Sequence, residues 1–204
     1  MIARIRERLL RNPPKTVEEE PGPSQFEVEA RLRRAGIDAR LLLADKNLIA
    51  EKQRRTLGTW LSDVERRVQK GNGLYLWGPV GTGKSMAAVS VVRVIAATTD
   101  SIRWWATSDL MLELENPYRR SDLIRQMSNV RVLVLDDFGT QVLTAKYAEW
   151  LDQIGDARYR RRRSTIVTSN VQPGMTGMDR LMDRWRETML EIEFPGRSRR
   201  EADV

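Results

Sequence analysis

Apolar residues along this chain gather into short runs, at Leu74–Trp77, Ile102–Ala106, Val132–Leu135, Ser164–Thr168 and Leu190–Phe194. Each is four or five residues long and rich in branched or aromatic side chains, so each reads as a strand. Between them the period lengthens. Met86 to Ala97 is mostly apolar, as a helix buried against a sheet has to be, and Leu143, Tyr147, Trp150, Leu151 and Ile154 recur at helical spacing to form one apolar stripe. This alternation predicts an α/β fold with a parallel sheet. The globular pattern starts near Gln25. Before it, Ile2, Ile5, Leu9 and Leu10 among arginines predict a short amphipathic helix that stops near Asn12-Pro13-Pro14. Lys15 to Ser24, holding three consecutive glutamates and Pro21-Gly22-Pro23, predicts a flexible linker. No internal repeat interrupts the pattern.

Size and composition narrow the chemistry. A chain of 204 residues with 41% hydrophobic residues builds one well-buried domain rather than two. The sequence has no Cys and no His, which removes thiol nucleophiles, disulfides, zinc sites and histidine acid–base catalysis together. Catalysis is left to carboxylates, Lys, Arg and a metal held through oxygen. The formal charge of +7 favours a polyanionic partner, with a merely basic soluble surface as the plainer alternative. No stretch approaches the roughly 18 apolar residues that would span a bilayer, and the N-terminus lacks the apolar core of a signal peptide. The expectation is a cytoplasmic protein with no membrane partner.

The most specific signal is Gly78-Pro79-Val80-Gly81-Thr82-Gly83-Lys84-Ser85, which fits G-x-x-x-x-G-K-[ST] without a mismatch and directly follows the first strand. Glycines at these positions let backbone N–H groups close around phosphate oxygens, and a helix starting at the lysine adds its positive dipole end. Gly78 to Met86 is therefore the expected ATP-binding segment. Lys84 is placed to reach the β/γ-phosphates and the Ser85 hydroxyl to ligate Mg²⁺. The third strand ends in Asp136-Asp137. Asp136 is expected to hold the Mg²⁺ shell and Asp137 to orient the attacking water. Thr168-Ser169-Asn170 closes the fourth strand, which brings the Asn170 amide to the same sheet edge, where it can meet the γ-phosphate or the water.

These three motifs, in this order on strands of one sheet, resemble those of the AAA+ ATPases. Further residues narrow the resemblance to the DnaC and DnaI helicase loaders and the related IstB transposition ATPases. They are Arg34-Ala35-Gly36-Ile37, Asn72 to Pro79, Leu135 to Gly139, Thr168-Ser169-Asn170, Asp179 to Arg184 and Ser198-Arg199-Arg200. The resemblance covers residues 31–204. It implies a P-loop AAA+ core, a five-stranded parallel sheet flanked by helices without a C-terminal helical lid, and leaves residues 1–30 as a partner-binding tail. It also implies an arginine finger at Arg184, with Arg180 one turn earlier, acting on the ATP of a neighbouring subunit in a head-to-tail homo-oligomer. Arg200 corresponds to the sensor-2 arginine of the group, with Arg197 and Arg199 close enough to take that role. Position 137 is Asp where many AAA+ ATPases have Glu, one methylene longer, which implies slow turnover.

The resemblance further implies that residues 108–126, after the second strand, form an extra helix that faces the pore of a spiral assembly and touches single-stranded DNA. Tyr118, Arg119, Arg120 and Arg125 lie there, a mixture suited to base stacking and backbone neutralisation. Trp104 and Trp105, on the strand before, are read as core. The run Arg158-Tyr159-Arg160-Arg161-Arg162-Arg163 is the densest charge, open to phosphates, to a neighbouring subunit, or to water at a helix end. The expected function is ATP-dependent loading of a hexameric replicative helicase. The alternatives are an IstB-type ATPase that binds duplex DNA and activates a transposase, and a DNA-binding adaptor that holds nucleotide without hydrolysing it.

Overall fold

The computed structural model describes residues 22–43, 49–139, 144–196 and 198. The predicted N-terminal helix, most of the linker and Leu143 lie outside them. Among the described residues four helices precede the first strand: α1 Gln25–Arg34, α2 Ala39–Leu43, α3 Glu51–Leu61 and α4 Val64–Lys70. The remainder alternates as β1 Gly73–Trp77, α5 Lys84–Ile95, β2 Ile102–Ala106, α6 Thr107–Glu115, α7 Arg120–Asn129, β3 Val132–Phe138, α8 Ala145–Arg160, β4 Ser164–Ser169, α9 Asp179–Thr188 and β5 Met189–Glu193. All five strands pair in parallel, in the order β2-β3-β4-β1-β5. The five strands expected from the sequence are these five, shifted at most by a residue or a few at each end.

Strand side chains alternate between faces, and here both faces are covered. Leu74, Leu76, Val132, Val134 and Ile166 point into a core with Leu32, Trp60, Val68 and the apolar side of α5. Their neighbours Tyr75, Leu133, Leu135 and Val167 point the other way, into a core with Leu110, Met127, Leu151, Ile154 and Leu181 from α6 to α9. Each buried Leu, Val or Ile contributes on the order of 1.5–3 kcal/mol, so the continuous apolar strands reflect two-sided burial. The stripe on α8 turns Trp150, Leu151 and Ile154 inward as predicted, and the Thr144 hydroxyl caps the helix by accepting from the Tyr147 N–H.

The run Arg34-Ala35-Gly36-Ile37 has a structural explanation. It crosses the outer edge of β2, where the Trp104 N–H donates to the Ala35 carbonyl at 2.8 Å. Gly36 sits at φ 97°, and a Cβ there would stand 3.0 Å from the Trp104 carbonyl oxygen. The edge strand is thereby protected from pairing with another chain. α1 runs across residue 30, begins with a capping box between Ser24 and Glu27, and buries Leu32.

Candidate functional site

All the candidate loops leave the sheet at the C-terminal ends of β1, β3 and β4, with β4 lying between the other two. After β1 the chain turns through Gly78 and Gly81, at φ 143° and 78°, and enters α5 at Lys84. A Cβ at Gly78 would come within 2.3 Å of the Phe194 carbonyl oxygen, and one at Gly81 within 2.2 Å of the Ser198 Oγ. The loop is thus pressed between the sheet and the segment after β5, with no room for side chains at either position. Lys84 is 6% exposed, and its ammonium donates to the Gly78 and Pro79 carbonyls at 2.8 and 2.7 Å.

Ser85, in the first turn of α5, donates its hydroxyl to Asp136 Oδ1 at 2.9 Å. The Thr168 hydroxyl donates to the same oxygen and accepts the Asp137 N–H at 3.0 Å. Asp136 is 8% exposed, and this burial pushes its carboxyl above the ordinary aspartate range. The hydroxyls of Thr168 and Ser85 pull it down, the Asp137 charge pushes it up, and Lys84 pulls it down again. Asp137 projects into solvent from a backbone at φ 54°, a left-handed conformation that costs an ordinary residue about 1 kcal/mol or more. It is held there from both sides, by Thr168 on its own N–H and by the Ser169 hydroxyl on the Phe138 carbonyl at 2.7 Å. The β3–β4 register shifts between Leu135 and Phe138 as a result.

These groups suit a nucleoside triphosphate with a hard cation. One desolvated carboxylate, two hydroxyls and a buried ammonium, beside a cradle that a Cβ would fill, match a cation that completes its shell with phosphate and water.

The other expected site residues divide. Asn170, one residue past β4, is half-buried at this same edge. Arg184 on α9 forms an ion pair with Asp156 on α8, and its Nη1 is buried without a hydrogen-bond partner among the described residues. Arg180, a turn earlier, is exposed. Gly155 lets the two helices meet, since a Cβ there would strike Leu181 Cδ1 at 2.1 Å. Ser198 lies against Gly81, whereas Arg197, Arg199 and Arg200 lie outside the described residues.

The expected nucleic-acid segment is two helices rather than one. Pro117 has no N–H, and Asn116 before it is extended, so α6 ends and α7 starts afresh at Arg120. Tyr118 stands at the break with 90% of its surface exposed. Arg119 and Arg125 make only exposed pairs, with Glu113 at 3.2 Å and Asp122 at 2.9 Å. Arg120 is tied into the fold, its guanidinium donating to the Leu114 and Glu115 carbonyls and stacking 4.6 Å from the Trp150 ring. Trp104 is buried and Trp105 half-buried.

Sequence reasoning assigned no role to Thr168, Thr107 or Asp156. The signal for the first was present, because hydroxyls inside a fully buried parallel strand require partners. Thr107 supports the Asp136 carbonyl at 2.9 Å, and Asp156 bonds both Arg184 and Arg160; neither contact has a local trace in the sequence.

Replacing Asp136 with Asn tests the desolvation directly. The folded-state pKa lies above the ordinary value, so the carboxyl's contribution to stability is full below that value and is lost as pH rises through the folded one. Asn retains an acceptor for Ser85 and Thr168 and carries no charge to desolvate. At neutral pH the nucleotide-free Asp136→Asn protein is expected to melt a few degrees above wild type by calorimetry, while Mg²⁺-dependent nucleotide affinity falls. An unchanged or lowered Tm contradicts the desolvation account.

A parallel sheet with a phosphate cradle after β1 and an acidic pair after β3 defines a P-loop nucleotide-binding domain, and its strand order and flanking helices are those of the AAA+ fold. The chain belongs to the IstB-like ATP binding protein family, which it matches over residues 31–178. It is 30% identical over 183 residues to an ATP-binding protein in an insertion sequence of Mycobacterium tuberculosis, covering 83% of this chain and 72% of that one. It is 29% identical over 117 residues to the replicative helicase loader DnaC of Escherichia coli, covering 53% of this chain and 48% of the loader. The chain therefore matches about half the length of that relative. A crystal structure of the DnaC helicase loader superposes with a TM-score of 0.64 at 22% identity, over 77% of this chain and 99% of that one. Among the described residues no helix is long and apolar enough to cross a membrane.

Proposed function

We propose that this protein is an assembly ATPase that binds ATP with Mg²⁺, lines up head to tail on single-stranded DNA, and delivers a hexameric replicative helicase. Gly78 to Met86 form the phosphate cradle, and Ser85 and Asp136 hold the cation, which neutralises charge on the transferred phosphoryl group when bound. Lys84 leaves the Gly78 and Pro79 carbonyls for phosphate oxygens. Asp137 orients water, Asn170 bonds the same region, and Arg184 serves the neighbouring subunit after parting from Asp156. Arg200, two residues beyond Ser198 in the sequence, reaches the phosphates of its own subunit. Residues 1–30 form the tail that meets the partner, and residues 31–204 the ATPase domain.

The observation that carries the choice of single strands is Tyr118. An aromatic side chain exposed at a helix break just before Arg119 offers a stacking platform, which unpaired bases use and a duplex backbone does not. Truncating it should cost about 1–3 kcal/mol of single-strand affinity and leave duplex binding unaffected. Fluorescence anisotropy of wild type and Tyr118→Ala on oligo(dT) and on a duplex of equal length, with ATP present, checks this. Equal losses on both nucleic acids, or none, remove the stacking assignment.

The longer alignment, 183 residues against 117, favours a second reading in which the partner is a transposase and the DNA is duplex. Capture of a replicative helicase or of a transposase by the full chain, followed by native mass spectrometry, separates the two. Turnover of the assembled protein below detection supports instead an adaptor that holds nucleotide without hydrolysing it.

A further inference from the structure

The edge of the sheet opposite the P-loop carries a second basic feature. α4 ends at Gly71, with φ 82°, the Gly71 N–H bonding the Val68 carbonyl and the Asn72 N–H bonding that of Arg67. α8 ends in the same way, the Arg162 N–H bonding the Tyr159 carbonyl at 3.1 Å and the Arg163 N–H bonding that of Arg158 at 2.9 Å. These are two Schellman caps set back to back, because a Cβ on Gly71 would lie 2.7 Å from the Arg162 carbonyl carbon. The first uses glycine at the left-handed position, as such caps usually do. The second places Arg162 there, at φ 50°, although an L side chain is strained relative to glycine in that conformation. Backbone geometry alone thus favours glycine at 162, and the guanidinium has to be explained by something outside the turn.

Arg158 has such an explanation within the fold. It is 2% exposed and donates to the carbonyls of Met127, Val130 and Ser164 and to the Thr165 hydroxyl. Arg160 is paired with Asp156 at 2.5 Å. Arg162, Arg163 and Lys70 form no ion pair among the described residues, and all three line a cavity of about 360 Å³ between α4, α8 and β4. The one carboxylate lining it, Glu187, receives the Tyr159 hydroxyl. Arg163 Nε is buried without a hydrogen-bond partner among the described residues. Arg160 also lines the adjoining groove between α7 and α8, about 540 Å³, together with Arg161, Arg125 and the residue before Tyr118, Pro117. Glu149 is the acidic residue in that groove. Arg160 lines both depressions, so their basic side chains mark a path from Pro117, beside the aromatic break, to the end of β4 away from the P-loop.

We propose that this path is a nucleic-acid track, and that Arg162, with Lys70 and Arg163, forms a second phosphodiester contact at its end, on the sheet edge away from ATP. Planar guanidinium forks that converge on a polar cavity suit bidentate contact with phosphate oxygens. The proposal rests on the reading of the protein as DNA-binding, and extends the contact well beyond the α6–α7 break.

Arg162→Gly is a discriminating variant, because it removes the guanidinium while relaxing the backbone. The full chain with ATP and Mg²⁺ is titrated with oligo(dT) and with a duplex of equal length over a range of salt. Arg162→Gly should melt at or above the wild-type temperature, bind ATP normally, and bind oligo(dT) about tenfold more weakly at low salt. Its salt slope should fall by roughly 0.7, the share of one phosphate on a single strand. Adding Lys70→Gln should deepen both losses, and Arg162→Lys should retain most of the affinity. Wild-type affinity and slope in Arg162→Gly overturn the track while leaving the Tyr118 contact standing. A loss of ATP-dependent oligomers without DNA, seen by sedimentation, would make the surface a subunit contact and also overturn it. Arg162 effects on duplex alone, with no single-strand binding by wild type, keep the track and reject the loader. Wild-type binding to neither nucleic acid rejects both.

Discussion

Lys84→Ala protein is expected to fold and to bind ATP at least about 100-fold more weakly than wild type, a loss near 3 kcal/mol. The ammonium is the cation that the loop itself positions, on a residue only 6% exposed, and it is held by the Gly78 and Pro79 carbonyls. Phosphate oxygens would replace those carbonyls, exchanging neutral acceptors for charged ones, and charge-assisted hydrogen bonds are about twice as strong as neutral ones. The fold should survive because both carbonyls belong to a loop that water can enter once the side chain is cut back. Isothermal titration of nucleotide, with circular dichroism as the control for folding, gives the answer. A folded variant with wild-type affinity would remove the phosphate site from this loop.

The other large effect is expected at Arg184. Arg184→Ala should bind ATP within about threefold of wild type and lose turnover by about 1,000-fold or more, the usual share of an arginine that enters a neighbour's site. In the isolated chain this guanidinium is not extended toward solvent; it lies in an ion pair with Asp156 at 18% side-chain exposure. On the proposed role assembly would have to break that pair, which would make Asp156 a competitor for the same cation. Removal of Arg184 should leave the fold intact, because Asp156 retains Arg160. Mixing Arg184→Ala with Asp137→Asn protein should restore part of the turnover, since mixed interfaces join an intact arginine to an intact carboxylate. Asn suits the left-handed backbone at 137, so that variant is not expected to disturb the loop. Loss of ATP affinity in Arg184→Ala alone would place the residue in its own subunit's site.

The strands were legible because two-sided burial makes them uniformly apolar, and the P-loop because its geometry demands particular residues at fixed spacing. The break at Asn116-Pro117 was legible in principle, since proline disfavours helix in the residue before it, but the resemblance led residues 108–126 to be read as one helix. Arg120 shows where sequence reasoning stops. Its neighbours in the chain mark it as a surface cation, and only the packing of α7 on α8 reveals that it caps α6 and stacks on Trp150. The pairing of Arg184 with Asp156 and the left-handed backbone at Asp137 are likewise long-range outcomes, the latter held by Thr168 from the neighbouring strand.

The strand order also governs how the chain reaches this state. Leu74 of β1 pairs in register with Ile166 of β4 and Leu190 of β5, so the strand that carries the P-loop has no sheet partner until most of the chain has been made. Pairings this distant close large loops before they gain contacts, which slows folding. During synthesis the backbone of β1 stays unpaired on one side until residues near 166 have emerged and on the other until residues near 190, a long interval for a chaperone to occupy. ATP binds only once β1, β3 and β4 stand side by side, so it acts on the last assembled state. At a hundredfold excess over its Kd it adds about 2.7 kcal/mol to the native side, and nucleotide level becomes a determinant of how long each copy of the protein lasts.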